Sequence, residues 1–205
     1  MARSAVGRRE QNKLEKRARI VAAARALFAH KGFEATTTQE IATAAQIAIG
    51  TLFLYAKTKE DLLLLVFHDE IIEVAKKAYA DASKRPSILE QLSAFFETFV
   101  AYHERDLALA HLLMRQLGYV GSSDQRSLVS ELMTALLGNL AKLIEAAKRN
   151  QEVGAKTPAY SAARSVFAIY YLHLGGMLSG YIDRAQFDRA LRTDLETLFQ
   201  GLRGA

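Results

Sequence analysis

Apolar residues recur at three- and four-residue steps along almost the whole chain, and this spacing constrains the fold more than any other feature. Such a period places the apolar side chains of each segment on one face of an α-helix. Only two prolines, Pro86 and Pro158, interrupt the pattern, and no convincing alternation of apolar and polar residues predicts a strand. The sequence therefore predicts an all-α fold.

Local signals predict where several of these helices begin and end. Gly32 follows an apolar stripe and is expected to end the first helix. Thr37 with Glu40, and Thr58 with Asp61, have the spacing of N-terminal capping boxes. The other expected elements are helices over residues 49–56, 58–83, 107–117 and 160–182, loops over 118–124 and 154–158, and a last helix capped by Asp183 and Gln186.

Positive charge is concentrated at the N-terminal end. Residues 1–31 hold nine Lys or Arg and two acidic residues, a net charge of +7, whereas the whole chain carries +5. A basic end on a nearly neutral body indicates a polyanionic partner, most simply nucleic acid. The alternative is a basic tail that is only solvated and disordered.

The composition argues against several other classes of protein. Cysteine is absent, so disulfides and thiolate zinc sites are excluded, and a reducing compartment fits. The five histidines lack the spacing of a zinc-binding motif, and we expect neither a metal nor a cofactor. The chain lacks a phosphate-binding loop, a dinucleotide-binding fingerprint and a nucleophile elbow, so we do not expect an enzyme.

One uncharged segment is long enough to cross a membrane. It runs from Ser165 to Ile182 and contains eighteen residues. His173 and several glycines lie within it, and we interpret it instead as a helix buried between its own core and a partner subunit. Unlike His173, which lies in this buried helix, His30 and His68 are expected at the protein surface.

Residues 37–55 predict two short helices joined by a tight turn. This arrangement is a helix-turn-helix, and its second helix is short enough to lie in the major groove of DNA. The preceding helix would supply apolar residues that brace the pair.

Three stretches make the comparison specific: Gly32 to Ala42 (GFEATTTQEIA), Ala45 to Tyr55 (AQIAIGTLFLY) and Lys59 to Leu62 (KEDL). In order and spacing they resemble the N-terminal domain of TetR-family regulators over about residues 17–65. The resemblance implies a three-helix DNA-binding domain at residues 1–57, followed by a helical effector-binding and dimerisation domain at 58–205. The helix at 58–83 would connect the two.

The resemblance also implies roles for individual residues. Those that look like phosphate contacts are Thr37, Tyr55 and Lys59, although Tyr55 has a plain core role as its alternative. Those that look groove-facing are Thr38, Gln39, Ile49, Gly50 and Thr51. Lys59 lies in the first turn of its helix, where backbone N–H groups also favour an anion. Gly50 lacks a Cβ, which lets the backbone approach DNA closely, and Ala48 or Ile49 could touch a thymine methyl.

Three residues depart from the family pattern. Gln46 stands where glycine is usual, at a cost of roughly 1 kcal/mol if the site needs a positive φ. Ala48 replaces a common serine cap, which costs about 1 kcal/mol of helix stability. Ala56 stands where an aromatic residue is usual, so thinner packing is expected beneath Tyr55.

The second domain carries scattered polar residues on apolar helices. We expect a largely hydrophobic effector cavity lined by some of Phe99, His103, His111, Met114, Tyr170, His173 and Met177. Its ligand would be an aromatic or alkyl compound with one or two polar groups. The alternative is that these side chains only fill the core, with the histidines bonded to neighbours.

Taken with the resemblance, these features predict a cytoplasmic, ligand-responsive transcription regulator and not a membrane protein. It would bind a palindromic double-stranded DNA operator as a homodimer formed through its last two helices. A small hydrophobic effector would release it, as expected for a repressor. Two other classes stay open: a small helical enzyme or carrier with a basic tail, and a helical interaction module that binds a peptide.

Overall fold

Helices account for all the regular secondary structure in the part of the chain that the structure describes. The computed structural model describes the backbone of residues 2–117 and 123–202, and the side chains of 7–115 and 124–202. The helices are α1 (Ala2–Lys31), α2 (Thr38–Ala44), α3 (Ile49–Leu52), α4 (Lys59–Ala82), α5 (Ile88–His103), α6 (Leu107–Leu117), α7 (Ser123–Arg149), α8 (Ala159–Leu178) and α9 (Arg184–Leu202). The predicted all-α fold is confirmed.

Several predicted helix ends are confirmed in atomic detail. Thr37 Oγ1 accepts a hydrogen bond from the Glu40 backbone N–H (3.2 Å), and the Glu40 carboxylate accepts one from the Thr37 N–H (2.9 Å). Thr58 and Asp61 form the same reciprocal pair at the start of α4. Gly32 ends α1 with φ +83, a conformation that glycine adopts without steric cost. These contacts fix where the short helices begin.

The predicted ends of two helices were wrong. The helix expected over 49–56 stops at Leu52, because the next residues form three-residue turns, with the Tyr55 N–H donating to the Leu52 carbonyl (2.9 Å). The helix expected over 160–182 stops at Leu178, because the Tyr181 and Ile182 N–H groups turn back to the Gly176 carbonyl. Most of the loop expected at 118–124 lies outside the described residues, and α7 has already begun at Ser123.

Helix α4 is the central element of the fold. Every residue from Asp61 to His68 is buried, so the first half of α4 presents apolar groups on all sides. It packs against α1 on one side and against α5, α6 and α7 elsewhere. The buried side chains of the helix-turn-helix and of the larger domain form one continuous cluster. The predicted boundary at residue 57 stays a prediction, and α4 contributes to the core on both sides of it.

By length and composition, one described helix could cross a membrane, and it lies in residues 124–149 of α7 rather than in the segment singled out from the sequence. In the structure, α7 packs against α4, α5 and α8. Core helices of soluble proteins have the same composition, so this feature alone does not indicate a membrane protein.

Candidate DNA interface and effector cavity

The nine predicted DNA-contacting residues lie in or next to α2, α3 and the start of α4. Leu52 and Ile41 are buried, and they anchor the two short helices against the body of the domain. The predicted residues lie on the outer side of this pair or at its edges. Those that are exposed are Thr37, Gln39, Ala48 and Gly50, and those that are half-buried are Thr38, Ile49, Thr51, Tyr55 and Lys59. The structure thus brings all nine into one region of the surface.

The turn between α2 and α3 contains a left-handed residue. Gln46 has φ +55, so the site does need the positive φ that was expected from the family pattern. A side chain with a Cβ is strained there, by about 1–2 kcal/mol relative to a right-handed conformation.

Replacing Gln46 by glycine is expected to stabilise the protein. The gain is about 0.5–1 kcal/mol, because relief of the strain exceeds the extra entropy of glycine in the unfolded chain. Thermal unfolding of Gln46→Gly measures it. The matched control is Gln39→Gly, an exposed site inside α2, where glycine should destabilise by about 1 kcal/mol. Equal losses in both variants would contradict the strain argument.

The recognition helix α3 lacks a side-chain cap. Ala48 occupies the cap position and makes no side-chain hydrogen bond, as expected. Gly50 is exposed, and a Cβ built on it would meet nothing within 4 Å. The absence of a side chain at Gly50 is therefore not explained by packing within the chain.

Gly50→Ala is expected to separate stability from DNA binding. Alanine fits the free protein and raises its stability by about 0.5–1 kcal/mol, since glycine disfavours helices. If the backbone at Gly50 approaches DNA, affinity falls by about tenfold, the size of one lost base contact. Gly138→Ala, at a second helical site with open space, is the control and should raise stability alone. Unchanged DNA affinity in Gly50→Ala would contradict the groove-facing role.

The Lys59 ammonium group makes several contacts within the protein, which a phosphate contact would not require. Its ammonium donates to the carbonyls of Phe33 (2.8 Å) and Glu34 (3.0 Å) and lies 4.4 Å from the centre of the Phe33 ring. Two of its three N–H donors are therefore occupied. Phosphate contact stays a prediction, and a loss of affinity in Lys59→Ala would have to be corrected for a loss of stability.

Ion pairs join α1 to α4 across the predicted boundary. Arg17 pairs with Asp69, and Arg25 lies 3.1 Å from the Glu70 carboxylate. The Tyr102 hydroxyl of α5 donates to the same Glu70 carboxylate (2.5 Å). Burial, and then this hydrogen bond, raise the pKa of Tyr102 above its ordinary range, so the phenol stays protonated. These residues form a continuous polar connection from α5 through α4 to α1.

His68 was expected at the surface, and that expectation was wrong. Only 9% of it is exposed, because α7 packs over this part of α4. Its Nδ1 lies 3.0 Å from Asp69, and its Nε2 lies 3.2 Å from Glu131 of α7. His30 is exposed, as expected.

A small internal cavity lies between the helices of the larger domain. Its volume is about 30 Å³, which leaves room for no more than a few water molecules. Its walls are almost entirely apolar and come from α4, α5, α6, α7 and α8. Among the residues expected there, those that line it are Phe99, His103, Met114 and Tyr170.

The other three predicted effector residues do not line this cavity. His111 is exposed on α6, and His173 instead bonds Asp194 of α9 (2.8 Å). Met177 is half-buried near the end of α8. Helical spacing places residues on a common face, but it does not say which face turns inward, and on α8 the inward positions are Tyr170 and Leu174.

Aromatic residues outside the predicted set form much of the cavity wall. Phe95 and Phe96 line it together with Phe99, and Phe167 and Tyr171 line it from α8. Tyr170 stacks on Phe96 with ring centres 4.3 Å apart. The repeated phenylalanines on α5 were the signal in the sequence that could have identified this wall.

Two polar atoms in the cavity wall have no hydrogen-bond partner among the described residues: the Tyr170 hydroxyl and His103 Nδ1. Tyr170 is 3% exposed and His103 is 5% exposed. Burial lowers the pKa of His103 to about 4, so its ring is neutral near neutral pH. Burial also raises the pKa of Tyr170, whose hydroxyl therefore keeps its proton.

In the described part of the chain, no group of three or more His, Cys, Asp or Glu side chains is clustered where it could hold a metal ion.

Comparison with known proteins points in one direction. Residues 20–66 match the family model described as bacterial regulatory proteins, tetR family. YerO of Bacillus subtilis (strain 168), described as an uncharacterized HTH-type transcriptional regulator, is 38% identical over 91 residues, which cover 42% of this chain and 32% of YerO. The chain thus matches only about a third of that relative's length.

Two other relatives match over more of the chain. The fatty acid metabolism regulator protein of Bacillus subtilis (strain 168) is 23% identical over 143 residues, which cover 70% of this chain and 73% of that protein. The crystal structure of Thermus thermophilus FadR, a TetR-family transcriptional repressor in complex with lauroyl-CoA, has a TM-score of 0.76 at 22% identity, covering 90% of this chain and 94% of that one. Residues 20–66, which hold the capped helix-turn-helix, thus match the TetR family of bacterial regulatory proteins, and the chain shares the fold of a TetR-family repressor.

Proposed function

We propose that the protein is a repressor that binds a specific DNA operator and leaves it when a hydrophobic effector enters the larger domain. The observation that carries the proposal is the position of α4. This helix begins beside the recognition helix and continues into the wall of the apolar cavity, where Ile71 contributes. A change in the cavity therefore acts on an element that also supports the DNA-binding surface.

The DNA-binding surface favours recognition by shape and apolar contact. At the start of α3, Ala48 and Gly50 are exposed and Ile49 is half-buried, and none of the three can read hydrogen-bond patterns. Thymine methyl groups are the base feature that such residues contact best. Thr51, with Thr38 and Gln39 of α2, would add the polar contacts. Arginine and lysine residues in the exposed stretch 7–16 of α1 would add phosphate or minor-groove contacts.

We infer that two copies assemble through α8 and α9. Leu172 is 70% exposed on α8, on the side away from the buried Tyr170 and Leu174. Gly176, one of the glycines of α8, faces its own chain and gives no support to this interface. A Cβ built there would lie 3.4 Å from Ile182 of the same chain. A two-fold dimer would present two recognition helices to the halves of a palindromic operator.

The effector class that we propose is a fatty acyl-CoA. Thermus thermophilus FadR has the same fold and is bound to lauroyl-CoA in its crystal structure. In this chain the almost entirely apolar wall suits an alkyl chain. The cavity of about 30 Å³ is too small for such a ligand, since binding pockets usually occupy about 300–1,000 Å³. Entry therefore requires aromatic side chains and their helices to move apart.

That movement provides a route to the DNA-binding domain. Asp69 and Glu70, which pair with Arg17 and Arg25 of α1, directly precede the wall residue Ile71 on α4. Displacing this part of α4 shifts α1 and changes the spacing of the two recognition helices in a dimer. An effector that binds the opened state more tightly than the closed state favours the opened state. It lowers the affinity for the operator by at most the ratio of its affinities for these two states.

The test is operator binding with and without the effector. Genomic footprinting should identify a palindromic site, and affinity for it should fall steeply with salt because phosphate contacts release counterions. Lauroyl-CoA should then release the protein from that site. A protein that binds lauroyl-CoA but protects no DNA site would instead be a carrier, and one that binds DNA without responding would need another effector. Operator binding also implies a cytoplasmic protein.

A further inference from the structure

The polar atoms of the cavity wall fall into two groups. The Tyr171 hydroxyl donates to the Met114 carbonyl (3.4 Å), so its hydrogen-bonding need is met within the chain. The Tyr170 hydroxyl and His103 Nδ1 have no such partner among the described residues. All four of these residues line the same cavity.

An unpaired polar atom at such depth is uncommon. Buried polar groups in folded proteins nearly always have a hydrogen-bond partner, and a buried hydroxyl without one destabilises the fold. Packing alone would be served as well by phenylalanine at position 170, since the Tyr170 ring already stacks on Phe96. A polar atom that is kept at this cost on a residue of the cavity wall indicates a ligand group.

The pair also defines the chemistry of that group. The Tyr170 phenol is protonated and donates, and the neutral imidazole of His103 presents one ring nitrogen as donor or acceptor. A hydroxyl group has both a donor and an acceptor and is neutral. A carboxylate would be unfavourable, since the surrounding wall is apolar and has no cationic side chain among the residues that line it.

We propose that the effector is an acyl chain that carries a neutral hydroxyl group within its apolar part, bound by Tyr170 and His103. This inference rests on the proposed function and narrows its ligand class. A plain alkyl chain that fills the cavity leaves both polar atoms unpaired. A hydroxylated chain pairs them, and the site thereby prefers it, as sites with buried polar groups reject analogues that lack the matching group.

The experiment compares binding of defined probes to the full chain by isothermal titration calorimetry. The probes are dodecanoyl-CoA and three hydroxydodecanoyl-CoA isomers, with the hydroxyl near the thioester, in mid-chain or near the chain end. We expect at least one isomer to bind wild type about tenfold more tightly than dodecanoyl-CoA. In Tyr170→Phe this preference should fall to less than about twofold.

Tyr171→Phe is the matched control. It is judged only by the ratio of its affinity for the best hydroxydodecanoyl-CoA isomer to its affinity for dodecanoyl-CoA. It removes a hydroxyl from the same wall, but one that is already bonded, and the ratio should stay near its wild-type value. Thermal unfolding checks the fold of each variant. Tyr170→Phe should melt no lower than wild type without ligand, since it loses only an unpaired hydroxyl.

The outcomes separate the two levels of the proposal. If dodecanoyl-CoA binds and releases operator DNA but no isomer binds more tightly, the hydroxyl inference is wrong and the proposed function stands. An equal preference in wild type and Tyr170→Phe would also overturn the inference. If none of the four probes binds, the proposed acyl-CoA effector is wrong, and the inference falls with it.

Discussion

Leu172→Glu is expected to convert the dimer into folded monomers that no longer bind operator DNA. Leu172 is 70% exposed in the single chain, so glutamate there stays solvated and leaves the monomer intact. In the proposed dimer the same side chain is buried, and the two-fold axis brings in two such charges. A buried unpaired charge costs about 3–5 kcal/mol, which weakens association by more than 100-fold.

Sedimentation equilibrium at micromolar concentration measures this change, and footprinting measures the loss of operator binding. The matched control is Leu107→Glu, at an exposed leucine (56%) on α6. It makes the same chemical change outside the proposed interface and should remain dimeric. A wild-type protein that sediments as a monomer, or a Leu172→Glu variant that stays dimeric, would refute assembly through this face of α8.

The protein is expected to lose about 2 kcal/mol of stability between about pH 7.5 and 5 through His103 alone. Burial lowers the pKa of His103 from 6.5 to about 4, so the unfolded chain takes up a proton in this range while the folded one does not. This contribution to stability is therefore complete only about one pH unit above 6.5, and it is lost as the pH falls toward 4. The size follows from about 1.4 kcal/mol per pH unit.

Urea unfolding at several pH values tests this expectation. His103→Gln should have a smaller loss over the same interval, since glutamine does not titrate. His111→Gln, at an exposed histidine on α6, is the control and should keep the wild-type loss.

Carboxylates change their charge at lower pH than histidine does. The Lys31 hydrogen bond lowers the pKa of Glu40 to about 2, so its contribution is lost only below its ordinary value of 4.5. Identical pH profiles for wild type and His103→Gln would contradict burial of a neutral imidazole.

Local chemistry explains which features could be predicted from sequence. The capping pairs at Thr37 and Thr58 form within four residues, and the strain at Gln46 depends on a single turn. Such features need no knowledge of the distant chain. The family motif then predicted the candidate DNA-contacting residues, and these lie close together in the fold because they belong to one compact unit.

The cavity was harder to predict because it depends on helix rotation. His173 and Leu174 are adjacent on α8, yet the first pairs with Asp194 of α9 and the second lines the cavity. His68 was misplaced for a similar reason, since its burial comes from α7, more than sixty residues later. Sequence spacing defines a face, but only packing between helices decides what that face meets.

The length of α1 has a consequence for the speed of the operator search. Thirty helical residues extend about 45 Å. Residues 7–16, near the start of this helix, are exposed and include Arg8, Arg9, Lys13 and Lys16. Charge held out from the body of a protein attracts DNA before any base is read, which raises association rates and favours sliding along the duplex. After the effector is consumed, repression should therefore return quickly, and truncation of this stretch should slow that recovery more than it weakens the final complex.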